Sequence, residues 1–210
     1  IGNNAVVLTA TDECGNSGTC QANVLVLDNI APSAICRGAT VQLDGTGNAI
    51  LNESVVDNGS SDNCGVPSLT ISQGSFSCAD IGTTTVSLTA TDSEFNSTTC
   101  ASQVTVEDNL APNAICQDIT VQLDGSSMAS ISTQDVDGGS TDNCGITSAS
   151  VAPTTFDCDD IGTAVSVTLT LGDASGNFSA CAADVTVEDP HGNCCSAPTA
   201  TVSYTHLTLP

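Results

Sequence analysis

The chain is 210 residues long and sets 24 acidic side chains against one basic one, Arg37, for a formal charge of −23 and a pI near 4.1. That charge repels phosphate backbones and anionic surfaces, which excludes nucleic acid as a partner, and no apolar run approaches the ~20 residues of a membrane-spanning helix. Twelve cysteines point to an oxidising, extracellular or cell-surface setting, and with aromatics at 2% and no Trp the cores must be aliphatic and helped by covalent cross-links.

In chain order, residues 1–27 read as the last strands of an incomplete module, with Cys14 and Cys20. Ile1 falls inside an apparent strand, so a longer parent polypeptide is expected. A full module follows at 28–107, opening with "DNIAPSAICRGATVQLDG", passing through a turn-rich loop "VDNGSSDNCG" at 56–65 and reaching the alternating stretch "TVSLTATD" at 85–92. The opening returns 80 residues later as "DNLAPNAICQDITVQLDG" and starts a second full module, 108–188. Cys36, Cys64 and Cys78 recur as Cys116, Cys144 and Cys158, and Cys100 recurs as Cys181 after one extra residue. Segments 102–108, 119–124 and 165–171 alternate apolar or β-branched residues with Thr, Ser and Gln, the mark of half-buried strands, and no useful stretch has helical periodicity. Short strands separated by Asp, Asn and Gly turns predict an all-β fold of tandem immunoglobulin-like β-sandwich modules stapled by disulfides. Residues 189–210 break the pattern and are expected to lack native structure.

Several ordered motifs carry a family resemblance: D-N-x-A-P-x-A-I-C from Asp28 and Asp108, D-N-C-G from Asp62 and Asp142, F-x-C-x-D-I-G-T from Phe76 and Phe156, and a last Cys before V-T-V-E-D. The chain resembles hyalin-repeat (HYR) modules of a large secreted or surface protein from an environmental bacterium. The resemblance implies an immunoglobulin-like fold, a part in extracellular adhesion or surface architecture, and no catalytic residues. The end, "VSYTHLTLP" at 202–210, resembles translated sequencing-adaptor read-through.

Four cysteines per module allow three pairings, which sequence alone leaves open. In a sandwich the starts of the first and last strands commonly lie together, which favours Cys36–Cys100 and Cys116–Cys181. Cys64–Cys78 and Cys144–Cys158 would then close an apparently local hairpin. The cysteine spacings lack the close pairs of a zinc ribbon.

The acids recur with the repeat, and two readings stand side by side: turn formation, or ligation of calcium, a hard cation that suits Asp and Asn oxygens. The calcium candidates are Asp28 and Asn29 with Asp108 and Asn109 at the module junctions, together with Asp62 and Asp142. No other cofactor is expected. An enzyme is not expected either: His191 and His206 both lie in the tail and Lys is absent, which removes the His-based triads and the P-loop. The function read from the sequence is a structural or adhesive repeat array, a spacer or cell-surface adhesion module. The alternative is a glycan-binding accessory module of a secreted hydrolase, with the loops Asp57–Gly65 and Asp137–Gly145 touching glycan; Phe76, Phe95, Phe156 and Phe178 read as a carbohydrate-binding face or, more commonly for such residues, as core. Expected partners are neighbouring modules of the same polypeptide and surface glycans or proteins.

Overall fold

The computed structural model describes residues 1–194; the adaptor-like segment 202–210 lies outside the described residues. The chain divides into two compact units, Ile1–Asn109 and a second from Leu110 onward.

The first unit begins with a hairpin of β1 (Gly2–Thr11) and β2 (Ser17–Val26), which pair only with each other. Next come β3 (Ala39–Gln42), β4 (Asn48–Ile50), the one-turn helix α1 (Glu53–Val56), β5 (Ser68–Ile71), β6 (Ser75–Ser77), β7 (Gly82–Thr91) and β8 (Ser97–Glu107). They make a four-stranded sheet of order β3-β8-β7-β5 and a two-stranded sheet β4-β6. β3 runs parallel to β8, and the other pairings are antiparallel. Alternation decides the faces. Val86, Leu88, Ala90 and Val104 are fully buried while the threonines and serines between them face outward, and Leu51, Val56 and Phe76 complete the interior from the opposite side. Ser102 shares the buried face and is satisfied, donating its hydroxyl to the Arg37 carbonyl at 2.6 Å.

The second unit repeats this plan with β9 (Ile119–Gln122), β10 (Ala129–Ser130), helix α2 (Thr133–Val136), β11 (Ile146–Ala152), β12 (Thr155–Phe156), β13 (Val165–Asp173) and β14 (Phe178–Glu188). Its sheets are β11-β13-β14-β9 and β10-β12. Phe156 on the small sheet and Val136 on α2 pack into one cluster with Val167, Leu169 and Val185 of the large sheet. Each full module is thus an all-β, immunoglobulin-like sandwich. The two helices have no counterpart in the sequence periodicity because a single turn is too short to show one.

Among the described residues four disulfides support the fold. Cys36 is bonded to Cys100 and Cys116 to Cys181, with Cα separations of 5.8 and 5.7 Å, because the first and last strands of each sandwich lie side by side. The two hairpin pairings do not form. Cys64 is a free thiol, so Cys64–Cys78 is absent, and Cys158 bonds Cys194 at a Cα separation of 5.4 Å, so Cys144–Cys158 is absent too. Cys78 and Cys144 are both oxidised. The reason lies in the sheets: β5 pairs with β7 but β6 pairs with β4, and likewise β11 pairs with β13 but β12 with β10. The chain changes sheets between these cysteines, so the segment is a crossover where a hairpin was expected.

Past β14 the chain turns back. Asp189 accepts from the backbone N–H of Cys194 at 2.8 Å, and the Cys158–Cys194 bond ties this turn to the second sandwich.

Candidate metal centre

The β7–β8 turn is built by one carboxylate. Asp92 Oδ1 accepts from the backbone N–H of Glu94 (2.9 Å) and of Asn96 (2.8 Å), while Oδ2 accepts from the Asn96 amide (2.7 Å). The β1–β2 turn uses Asp12 and Asn16 in the same way, and the β13–β14 turn uses Asp173 and Asn177. The Asn96 amide also donates to the Asp28 carbonyl at 3.1 Å, which draws the segment after β2 against this turn.

That contact assembles a group remote in sequence: one carboxylate oxygen from each of Asp28, Asp92 and Glu94 lies within 4.8 Å of the others. Asp28 is 94% buried, being 6% exposed, and its Oδ2 is shut off from solvent with no hydrogen-bond partner. Its Oδ1 accepts from the Ile30 N–H at 3.0 Å. That bond comes first among the causes holding the Asp28 carboxyl below the usual carboxylate range; the Cys64 thiol and the Asn63 amide add to it, against the opposing effect of burial. Beside that carboxylate the Cys64 thiol is pushed up and stays protonated, so the donors of the group are hard oxygens. A shallow hollow of about 200 Å³ lined by Asp62, Cys64, Gly65, Val66, Asp92 and Ser93 adjoins it.

Among the described residues no basic side chain neutralises this charge. Arg37, the single Lys or Arg in the chain, donates through Nε to the Val55 carbonyl (2.8 Å) and through Nη2 to the Ser54 carbonyl (3.0 Å), closing the C-terminal end of α1. In the second sandwich Gln117 does similar work, donating to the Asp135 carbonyl at 3.0 Å.

Of the sequence candidates, Asp28 enters the group, and Asp92 and Glu94 join it without having been singled out as ligands. Asp92 carried a signal in its recurrence with Asp12 and Asp173, which reads equally as a turn, whereas Glu94 has Cys14 and Ser175 at the matching positions and carried none. Asp62 stands outside the three-carboxylate group; its Oδ2 accepts from the Cys64 N–H (2.9 Å) and its Oδ1 is buried with no partner. Asn29 is exposed, and the Asn109 amide donates to the Gln42 and Glu107 side chains. In the second copy Asp108 is buried as Asp28 is, and Asp142 accepts from the N–H groups of Cys144 (2.9 Å) and Gly145 (2.8 Å). Most of the remaining recurrent acids form turns and caps: Asp44 and Asp124 accept from the N–H two residues on, Asp57 and Asp137 from Ser60 and Ser140, and Asp80 and Asp160 from Ser77 and Asp157.

The aromatics divide. Phe76 and Phe156 are core residues, whereas Phe95 is 87% and Phe178 64% exposed. None of the described helices is long and apolar enough to cross a membrane. The four disulfides require an oxidising compartment, which places the chain outside the cytosol.

No protein-family description matches the chain, nor does any curated protein. Solved structures do match. The protocadherin gammaB4 extracellular domain is 12% identical over 88% of this chain and 37% of its own length, with a TM-score of 0.36. The mouse clustered PcdhgC3 EC1-3 structure is 18% identical over 90% of this chain and 78% of its own (TM-score 0.33), and human protocadherin-24 EC1-2 is 13% identical over 77% and 100% (TM-score 0.37). The chain spans less than two thirds of the gammaB4 and gammaB7 structures, 37% and 58% of them.

Proposed function

We propose that the chain is part of an extracellular adhesive or spacer array of hyalin-repeat-like modules, and that Asp28, Asp92 and Glu94 bind calcium. The observation that carries the site is the buried, unpartnered Oδ2 of Asp28 beside two further carboxylates, with the one arginine engaged elsewhere. Three clustered carboxylates repel one another unless a cation sits among them, and an all-oxygen donor set from flexible turn residues suits calcium better than the stricter octahedron of magnesium or the nitrogen and sulfur ligands of zinc. The cation would fasten the segment leaving β2 to the β7–β8 turn. A fastened joint gives a module array reach and stiffness, which is what a spacer needs.

Calorimetric titration of the oxidised full chain with calcium at constant ionic strength tests this. Wild type is expected to bind calcium, and Asp28→Asn to remove one equivalent or weaken it at least tenfold. An unchanged titration in Asp28→Asn, or no heat in wild type, overturns the site.

A second reading, the glycan-binding accessory module, draws on the exposed rings of Phe95 and Phe178. It predicts retention of the chain on a polysaccharide matrix and loss of retention in Phe95→Ala. In the loop 57–65 the Asp57 and Asp62 carboxylates accept from backbone N–H groups of the loop itself, which favours the structural reading there.

A further inference from the structure

Asn52, Asn58, Asn96 and Asn177 each stand in the N-x-[ST] pattern of an N-glycan acceptor. Sugar transfer makes two demands on such a site. The carboxamide nitrogen must exchange one of its two hydrogens for a bond to the sugar, and the hydroxyl two residues on must be open to the transferring enzyme. Asn96 uses both amide hydrogens, donating to the Asp28 carbonyl at 3.1 Å and to Asp92 Oδ2 at 2.7 Å, so a sugar there would break one of these bonds. Asn177 donates to Asp173 Oδ2 at 2.7 Å, and the hydroxyl of its motif, Ser179 Oγ, is shut off from solvent. At Asn58 the obstacle is the hydroxyl: Ser60 Oγ accepts from the Ile35 N–H at 2.9 Å and is hydrogen-bonded to Asp57 as well. Asn52 is different. It stands exposed ahead of α1 with no side-chain capping bond, and Ser54 is exposed too, engaged through its carbonyl, which accepts from Arg37.

The neighbouring side chains point the same way. Ile50 and Val55, on either side of Asn52, are 77% and 40% exposed. At the three matching positions the second sandwich has Ser130, Ser132 and Asp135, so the apolar pair and the acceptor disappear together. The acceptor thus accompanies an exposed apolar pair, which a glycan would shade from solvent and from other chains. We propose that Asn52 is an N-glycan attachment site of the folded chain and that folding closes the motifs at Asn58, Asn96 and Asn177. The donor is a sugar activated as a diphosphate ester. The Asn52 Nδ2 forms a bond to the anomeric carbon, the bond from that carbon to the diphosphate oxygen breaks, and the nitrogen loses one proton as the diphosphate departs. No oxidation or reduction is involved. The inference is independent of calcium.

The test treats the oxidised, folded full chain with a soluble N-glycosyltransferase that recognises N-x-[ST], using a nucleoside-diphosphate hexose as donor and peptide mass mapping as readout. Each site's rate is divided by that of a synthetic peptide carrying the same motif, which removes the enzyme's own preference among the four. The ratio at Asn52 is expected to exceed those at Asn58, Asn96 and Asn177 at least tenfold. Ser54→Ala is expected to abolish labelling of Asn52 and Ser54→Thr to keep it. Because Ser54 is exposed, both variants leave the fold intact, which the thermal midpoint checks. Comparable ratios at the four sites would overturn the inference. So would a folded chain that stays unlabelled at Asn52, or labelling of Asn52 that survives Ser54→Ala.

Discussion

Aspartate carries much of the local order. Asp80 and Asp135 are held below the ordinary value of 3.8 by the N–H and then the hydroxyl of Ser77 and Ser132; Asp57 and Asp137 are lowered first by the hydroxyl and then the N–H of Ser60 and Ser140. A depressed native pKa contributes stability that is complete above the unfolded value and is lost as pH falls through the native one. The urea midpoint is therefore expected to hold steady from neutral pH down to the neighbourhood of 3.8 and to fall progressively below it. A midpoint that rose on acidification would show that relief of the overall negative charge outweighs these turns. Phe95 is a different case. It sits at φ 67° in the β7–β8 turn, where the corresponding turns have Gly15 (φ 86°) and Gly176 (φ 90°). A bulky side chain in the left-handed region costs about 1 kcal/mol or more, and this ring is exposed and gains little back. Phe95→Gly is expected to raise stability by about 1 kcal/mol in chemical denaturation; a loss would mean that the ring makes a contact that outweighs its strain.

Short strands behave according to which sheet they join. β4 and β6 have only three residues each, yet they set the crossover that separates Cys64 from Cys78. Alkylation of the native, non-reduced chain should accordingly label Cys64 and leave Cys78 unmodified, and Cys64→Ser should leave stability unchanged. By contrast, replacing Cys36 and Cys100 together with Ala removes a 64-residue cross-link and should cost about 4 kcal/mol on loop-closure grounds. Protection of Cys64 from label along with Cys78 would restore the local hairpin pairing. Period-2 alternation identified the long strands β7, β8 and β13 and the shorter β9, while β4, β6, β10 and β12, of two or three residues each, carry too few for a period to register.

At the scale of the whole molecule, a formal charge of −23 works against compactness. Raising ionic strength from a few millimolar to about 0.15 M shortens the screening length to roughly 8 Å and is expected to raise the thermal midpoint. Calcium added at that fixed ionic strength should raise it further if the Asp28 group binds it, and Asp28→Asn should remove that second increment alone. A chain insensitive to salt would mean that its charges are already spaced beyond mutual influence.

The repeat, the faces of the long strands, the oxidising setting and the absence of histidine-based chemistry follow from the amino-acid sequence, because each rests on composition or on a period that neighbouring residues carry. Pairing partners do not follow in that way. Alternation tells which side of a strand faces inward but not which strand lies beside it, so the crossover that leaves Cys64 unpaired and the bond from Cys158 to Cys194 emerge only in three dimensions. The gathering of Asp28 with Asp92 and Glu94 is of the same kind. Each acid is unremarkable in its own segment, and the Asn96 amide, reaching the Asp28 carbonyl across 68 residues of chain, helps to draw the three carboxylates together.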